Sequence, residues 1–117
     1  MINRLLVLPM SLLALTAGRA IGQDVMSLHV RQLAVLAEDA DVRVLRYAPR
    51  AGERVPMHSH PRSVVYVLKG GRVRYTFPDG STRDALLKTG DTLLRPPVTH
   101  SDEAIDALES ILIEMKH

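Results

Sequence analysis

The sequence predicts a single all-β domain, a sandwich or a barrel. Turn residues recur about every 8–12 positions, the spacing of short strands joined by tight connections. Between the turns, apolar and polar residues alternate with a period of two, which sends successive side chains to opposite faces of a sheet. The chain has 117 residues, 46% hydrophobic and 24% charged. That is enough for one small core and unlike a disordered composition.

Residues 1–22 read as an export signal preceding that domain. Arg4 supplies the positive start, and the apolar run 5–17 follows. The run is about 13 residues long, within the 7–15 of a signal core and short of the ~20 a spanning helix needs. Small residues then offer cleavage after Ala20 or after Gly22. The domain is accordingly 23–117, periplasmic or secreted, with no membrane attachment after cleavage.

Arg4 and Arg19 fall in the signal and no acidic residue does. The 15 Lys+Arg and 13 Asp+Glu of the whole chain therefore become an even balance after cleavage. With no basic cluster and only Tyr47, Tyr66, Tyr75 and Phe77 as aromatics, a nucleic-acid partner is not expected. The absence of cysteine removes disulfides, thiolate metal sites and a cysteine nucleophile.

Residues 23–31 read as a tail or an edge strand, and 32–38 as a strand or one helical turn. Residues 42–47 alternate as a strand, and Pro49 to Gly52 turns the chain. Residues 63–69 form the most apolar run, a strand expected to be buried on both faces. Were Val64, Tyr66 and Leu68 to face inward, Val65 and Val67 would lie outside. Gly70-Gly71 is a tight turn, after which Val73, Tyr75 and Phe77 alternate with polar residues. Pro78 to Ser81 turns again, 82–87 returns, Thr89 to Asp91 turns, and 92–95 is a short strand broken by Pro96-Pro97. The acidic segment 101–107 reads as a loop and 108–115 as the last strand. Glu109 and Glu114 lie in opposite phases on it; one of them can supply an acid/base group, and the plainer expectation is two solvated edge charges.

The chemistry concentrates in Met57-His58-Ser59-His60. In an extended strand, residues i and i+2 share a face, so His58 and His60 aim two imidazoles at one point. His100 is remote in sequence, but strands across a closed sandwich face one another, and it can complete a three-histidine metal site. His29 and His117, near the ends of the mature chain, read as solvated. Tyr66 and Tyr75 can line the barrel and orient a ligand through their hydroxyls, or serve as core residues whose hydroxyls reach a partner.

These residues resemble the cupin superfamily, whose fold is a jelly-roll β-barrel. Gly52, five residues, then His58-Ser59-His60, and later Gly71 match its first motif. Gly90, five residues, Pro96 and then His100 match the second. The likeness covers about residues 32–116. It departs from the pattern at Val64, where the family carries a Glu ligand, and neither Ser63 nor Val65 restores a carboxylate. His100 comes one residue early, Val98 replaces a usual Gly and Ala104 a usual Asn.

The resemblance implies a divalent ion (Fe, Zn, Cu, Ni or Mn) held by His58, His60 and His100, and a homodimer paired through outer-face strands. Three neutral imidazoles would leave the ion its full charge, a stronger Lewis acid that is held less tightly. Two functions follow. One is a small-molecule metalloenzyme, dioxygenase-like or isomerase/lyase-like, supported by any ionisable group near the metal. The other is a non-catalytic barrel binding a metal or small ligand in the periplasm, supported by walls that are apolar apart from the histidines.

Overall fold

The structure, a computed structural model, describes residues 23–117. The expected export signal and its cleavage points lie outside the described residues. Among the described residues, nine strands follow a 3-10 turn at Val25–Leu28, where the Asp24 carboxylate accepts from the Met26 N–H. The strands are β1 (Leu33–Glu38), β2 (Val42–Tyr47), β3 (Arg54–His60), β4 (Ser63–Lys69), β5 (Gly71–Thr76), β6 (Thr82–Leu87), β7 (Thr92–Arg95), β8 (Val98–Ala104) and β9 (Glu109–Met115). They build a five-stranded sheet in the order β1-β2-β9-β4-β7 and a four-stranded sheet in the order β3-β8-β5-β6. All named pairs are antiparallel, and consecutive strands alternate between sheets over much of the chain, which is jelly-roll connectivity.

The inner faces of the two sheets meet in two apolar clusters. Val25, Leu33, Leu45, Val55, Val65 and Leu112 fill one end. Val67, Val73, Leu87, Ala104 and Leu108 fill the other. Val25 caps the first cluster from the 3-10 turn, and the start of the segment 23–31 pairs with the edge of β3 through a parallel bridge from Asp24 to Ser59, so the expected edge pairing is made there while the rest forms a plug.

Two expectations are corrected. Residues 101–104 belong to β8 and not to a loop, because Asp102 and Ala104 take the inner face in step with His100. On β4 the inner residues are Ser63, Val65 and Val67, whereas Tyr66 and Leu68 are 45% and 43% exposed. The strand is apolar on both sides, so its composition does not reveal its phase.

The outer face of the five-stranded sheet is also apolar. A row of directly paired residues, Val44, Ile113, Val64 and Leu94, runs across β2, β9, β4 and β7.

Candidate metal centre

The local structure of β3 decides where its histidines point. Val55 pairs with Asp102 and His58 with His100, so β3 spends one more residue than β8 over the same interval. Such a bulge shifts the side-chain phase by one. Val55 and His58 therefore both face inward, and His60 follows. Pro56 occupies the bulge, where a missing ladder N–H is tolerated. Its carbonyl oxygen accepts a hydrogen bond from His58 Nδ1 at 2.6 Å. The same local distortion thus re-aims His58 and fixes its ring.

The three expected histidines come together in the interior. His58, His60 and His100 are 1%, 6% and 3% exposed. One ligand atom from each lies within 4.8 Å of the others. His58 Nε2 and His60 Nε2 approach to 3.0 Å. His60 Nδ1 donates to Glu114 Oε2 at 2.6 Å. In the form that carries one proton per ring, on the Nδ1 given to these acceptors, the two Nε2 lone pairs face one another. Metal-ligating imidazoles are oriented in this way, through the ring nitrogen that does not bind the metal. His100 stacks on Tyr75 with ring centroids 4.9 Å apart. His29 and His117 are exposed, and His117 lies 3.4 Å from Asp41.

Four further groups shape the site and were missed or undervalued in the sequence. Asp102 Oδ2 lies 3.8 Å from His58 Nε2 and 4.0 Å from His100 Nε2, and Asp102 Oδ1 accepts from the Tyr47 hydroxyl at 2.7 Å. The spacing His100-Ser101-Asp102 carried the signal, since i and i+2 share a face, but the acidic stretch around it reads as loop. Glu114, expected to be solvated, is 1% exposed. It shares the inner phase of β9 with Ser110 and Leu112, and Arg43 grips its Oε1 at 2.6 and 2.9 Å. Arg43 also reaches Asp24 at 2.6 Å, giving a chain from Asp24 through Arg43 and Glu114 to His60. Glu109, in the other phase, pairs with Arg46 at 2.6 Å on the outside. Of the two tyrosines singled out in the sequence, Tyr75 faces the site and Tyr66 does not.

Burial pushes His58 down to about 4, against the opposing pull of the Pro56 carbonyl. Burial, helped by the positive Arg95, pushes His100 down to about 2. Both are neutral and able to ligate at neutral pH. Burial raises Asp102 to about 6 despite the Tyr47 hydrogen bond. Burial also works against ionised Glu114, but the hydrogen bonds from His60 and Arg43 outweigh it and hold its carboxyl below the usual range.

The histidines, Asp102, Tyr47, Tyr75 and Arg95 surround a small cavity of about 30 Å³. A larger cavity of about 400 Å³ adjoins it and shares Tyr75, Leu87, Arg95 and His100. The position counted as the missing Glu, Val64, is on the outer phase of β4. Its inner neighbour Val65 lines the small cavity. The carboxylates at this site come instead from β8 and β9. The donor set, three imidazoles beside a buried carboxylate, suits a borderline divalent ion.

No family profile and no curated protein matches the chain. Solved structures do. A cupin domain from Bordetella pertussis Tohama I is 22% identical with a TM-score of 0.66, covering 73% of this chain and 92% of that one. A cupin-2 domain containing protein from Shewanella frigidimarina NCIMB 400 is 19% identical with a TM-score of 0.53, over 88% of this chain and 92% of that one. An RmlC-like cupin family protein with a double-stranded β-helix fold from Methanocaldococcus jannaschii is 19% identical with a TM-score of 0.56, over 73% and 79%. At these identities the likeness establishes the fold, the cupin double-stranded β-helix.

Proposed function

We propose that this cupin-fold chain is an exported metalloprotein that binds a divalent ion through His58, His60 and His100 and acts on a small molecule inside the barrel. The observation that carries the metal reading is the 3.0 Å approach of two Nε2 atoms whose Nδ1 partners are both acceptors. Two facing lone pairs repel, so the approach calls for a cation between them, a place that a divalent ion fills when it displaces a shared proton. The net negative chain Asp24–Arg43–Glu114 behind His60 adds attraction for that cation.

A bound divalent ion would supply Lewis acidity towards a substrate oxygen. This chain's own residues supply the rest. Asp102 presents a carboxylate oxygen to the space beside His58 and His100, placed to ligate or to accept a proton, and Tyr47 holds that carboxylate in position. Tyr75 fixes the plane of His100. A purely binding barrel needs no such ionisable group, so Asp102 favours dioxygenase-like or isomerase/lyase-like catalysis over the non-catalytic alternative.

Elemental analysis of the purified protein beside His58→Ala and His100→Ala tests the metal. The expected result is about one divalent ion per chain in the parent, lost in both variants. Negligible metal in all three overturns the reading. Export rests on the sequence of residues 1–22. N-terminal sequencing of fractionated protein should begin at Ile21 or Gln23, and an intact Met1 in the cytosol sinks it.

The proposed homodimer is supported by the apolar outer row Val44, Ile113, Val64 and Leu94, with Leu94 71% exposed. Val65 and Val67 face the core and have no part in it. Light scattering should give twice the chain mass, and Ile113→Lys should give the monomer.

A further inference from the structure

The larger cavity has a charge pattern of its own. It is about 400 Å³, within the range of small-molecule pockets, and opens onto His100. Phe77, Leu87, Leu93, Leu94 and Val98 make apolar walls, and no acidic side chain lines it. Arg83 and Arg95 do line it. Arg83 pairs with Tyr75 on the inner phase of β6, and Arg95 sits in the inner row Arg43–Glu114–Ser63–Arg95 across the five-stranded sheet.

These two guanidiniums are the arginines that line the cavity, and neither is neutralised by a carboxylate. Arg31, Arg43, Arg46, Arg54, Arg72 and Arg74 each hold an acidic partner. Arg83 and Arg95 hold no ion pair among the described residues. Arg95 instead lies over the Tyr75 ring, 5.9 Å from its centroid, and lines the small cavity together with the three histidines. A guanidinium and a divalent ion on one cavity repel each other. An anion held between them removes that repulsion.

We infer that this cavity is the subsite for a small organic anion, a carboxylate carried on an apolar or aromatic body, with Arg95 and Arg83 receiving the carboxylate and the apolar walls taking the body. The inference rests on the barrel being a small-molecule site. Guanidinium matches carboxylate through two parallel hydrogen bonds, a geometry that ammonium does not offer. The apolar walls disfavour a bare inorganic anion, which would lose its hydration there and gain no packing.

Binding of benzoate, benzyl alcohol and inorganic phosphate to the zinc-loaded protein tests it by titration calorimetry at low ionic strength. Benzoate should bind at least tenfold more tightly than either of the others. Arg95→Gln should abolish that preference, Arg95→Lys should retain part of it, and Arg83→Gln, at an exposed position that the fold does not need, should weaken it severalfold. Equal affinity for benzoate and benzyl alcohol overturns the inference, as does a preference unchanged in both Gln variants. Phosphate competing as well as benzoate overturns the apolar part. Repeating the titration on chelator-treated protein and on His58→Ala separates the two readings. A benzoate preference that persists without any metal uptake removes the metal centre and leaves the subsite. Metal uptake without the preference does the reverse.

Discussion

At the scale of single residues, the missing carboxylate is the most informative. The family count falls at Val64, yet β4 turns Val64 outward and Val65 towards the histidines. A Glu introduced at the two positions should behave in opposite ways. Val64→Glu adds a surface charge and should leave metal affinity unchanged. Val65→Glu buries a carboxylate at a site 2% exposed, which is costly until a cation compensates it. Its metal-free form should melt well below the parent, and zinc should restore most of the difference; thermal scans with and without zinc check this. Glu114 makes a related point. Glu114→Gln keeps an acceptor for His60 but loses the charge, so metal affinity should fall about tenfold in a chelator competition. Glu114→Ala also leaves buried His60 without its acceptor and Arg43 with Asp24 alone, and the fold should lose about 2 kcal/mol in urea denaturation. His58, His60 and His100 were legible because three rare residues stood at recognisable intervals. Glu114 was not, because a glutamate in an alternating strand reads the same whichever face is buried.

At the scale of elements, the pattern was legible wherever one face is polar. β5 alternates cleanly, and its inner residues Val73 and Tyr75 are those expected. β4 fails the same reading because its outer face is apolar too, so only its neighbours β9 and β7 settle the phase. β3 carries a feature that alternation cannot express. Without the bulge at Pro56, the inner phase set by Val55 would continue through Met57 and Ser59 and turn both histidines away. β8 was cut short in the sequence because acidic residues suggest a loop, yet Asp102 is an inner strand residue with a dedicated donor. That donor comes from the opposite sheet: Tyr47 on β2 bonds Asp102 on β8 at 2.7 Å. Tyr47→Phe leaves the buried carboxyl without its partner and should cost about 2 kcal/mol. A lower urea midpoint at unchanged slope is the expected result, and an unchanged midpoint would show that the bond does not tie the sheets together.

At the scale of the whole molecule, the titratable groups of the centre give the metal-free fold a definite response to acid. His58 at about 4 and His100 at about 2 lie below the 6.5 of an unfolded imidazole. Each therefore contributes stability that is complete above 6.5 and is lost as the pH falls, because the unfolded chain takes up the proton first. Glu114 and Asp24, both held low with Arg43 as partner, act in the same direction at lower pH. Asp102 acts in the opposite direction. Raised from 3.8 to about 6, it destabilises the fold at neutral pH and ceases to do so as it protonates. Between pH 6 and 4 two imidazoles oppose one carboxyl, so the unfolded state gains about one more proton than the fold. The chelator-treated protein should lose roughly 1.4 kcal/mol per pH unit across that window, read from urea midpoints at a series of pH values. Asp102→Asn removes the opposing group and should steepen the slope, whereas a midpoint that rises on acidification would mean that the imidazoles are not buried together as described. Zinc should raise the upper part of the curve without changing its slope, because it binds native imidazoles that already lack their proton there and adds stability in proportion to the logarithm of its concentration over its dissociation constant. The advantage should then vanish once protons displace the metal from the histidines.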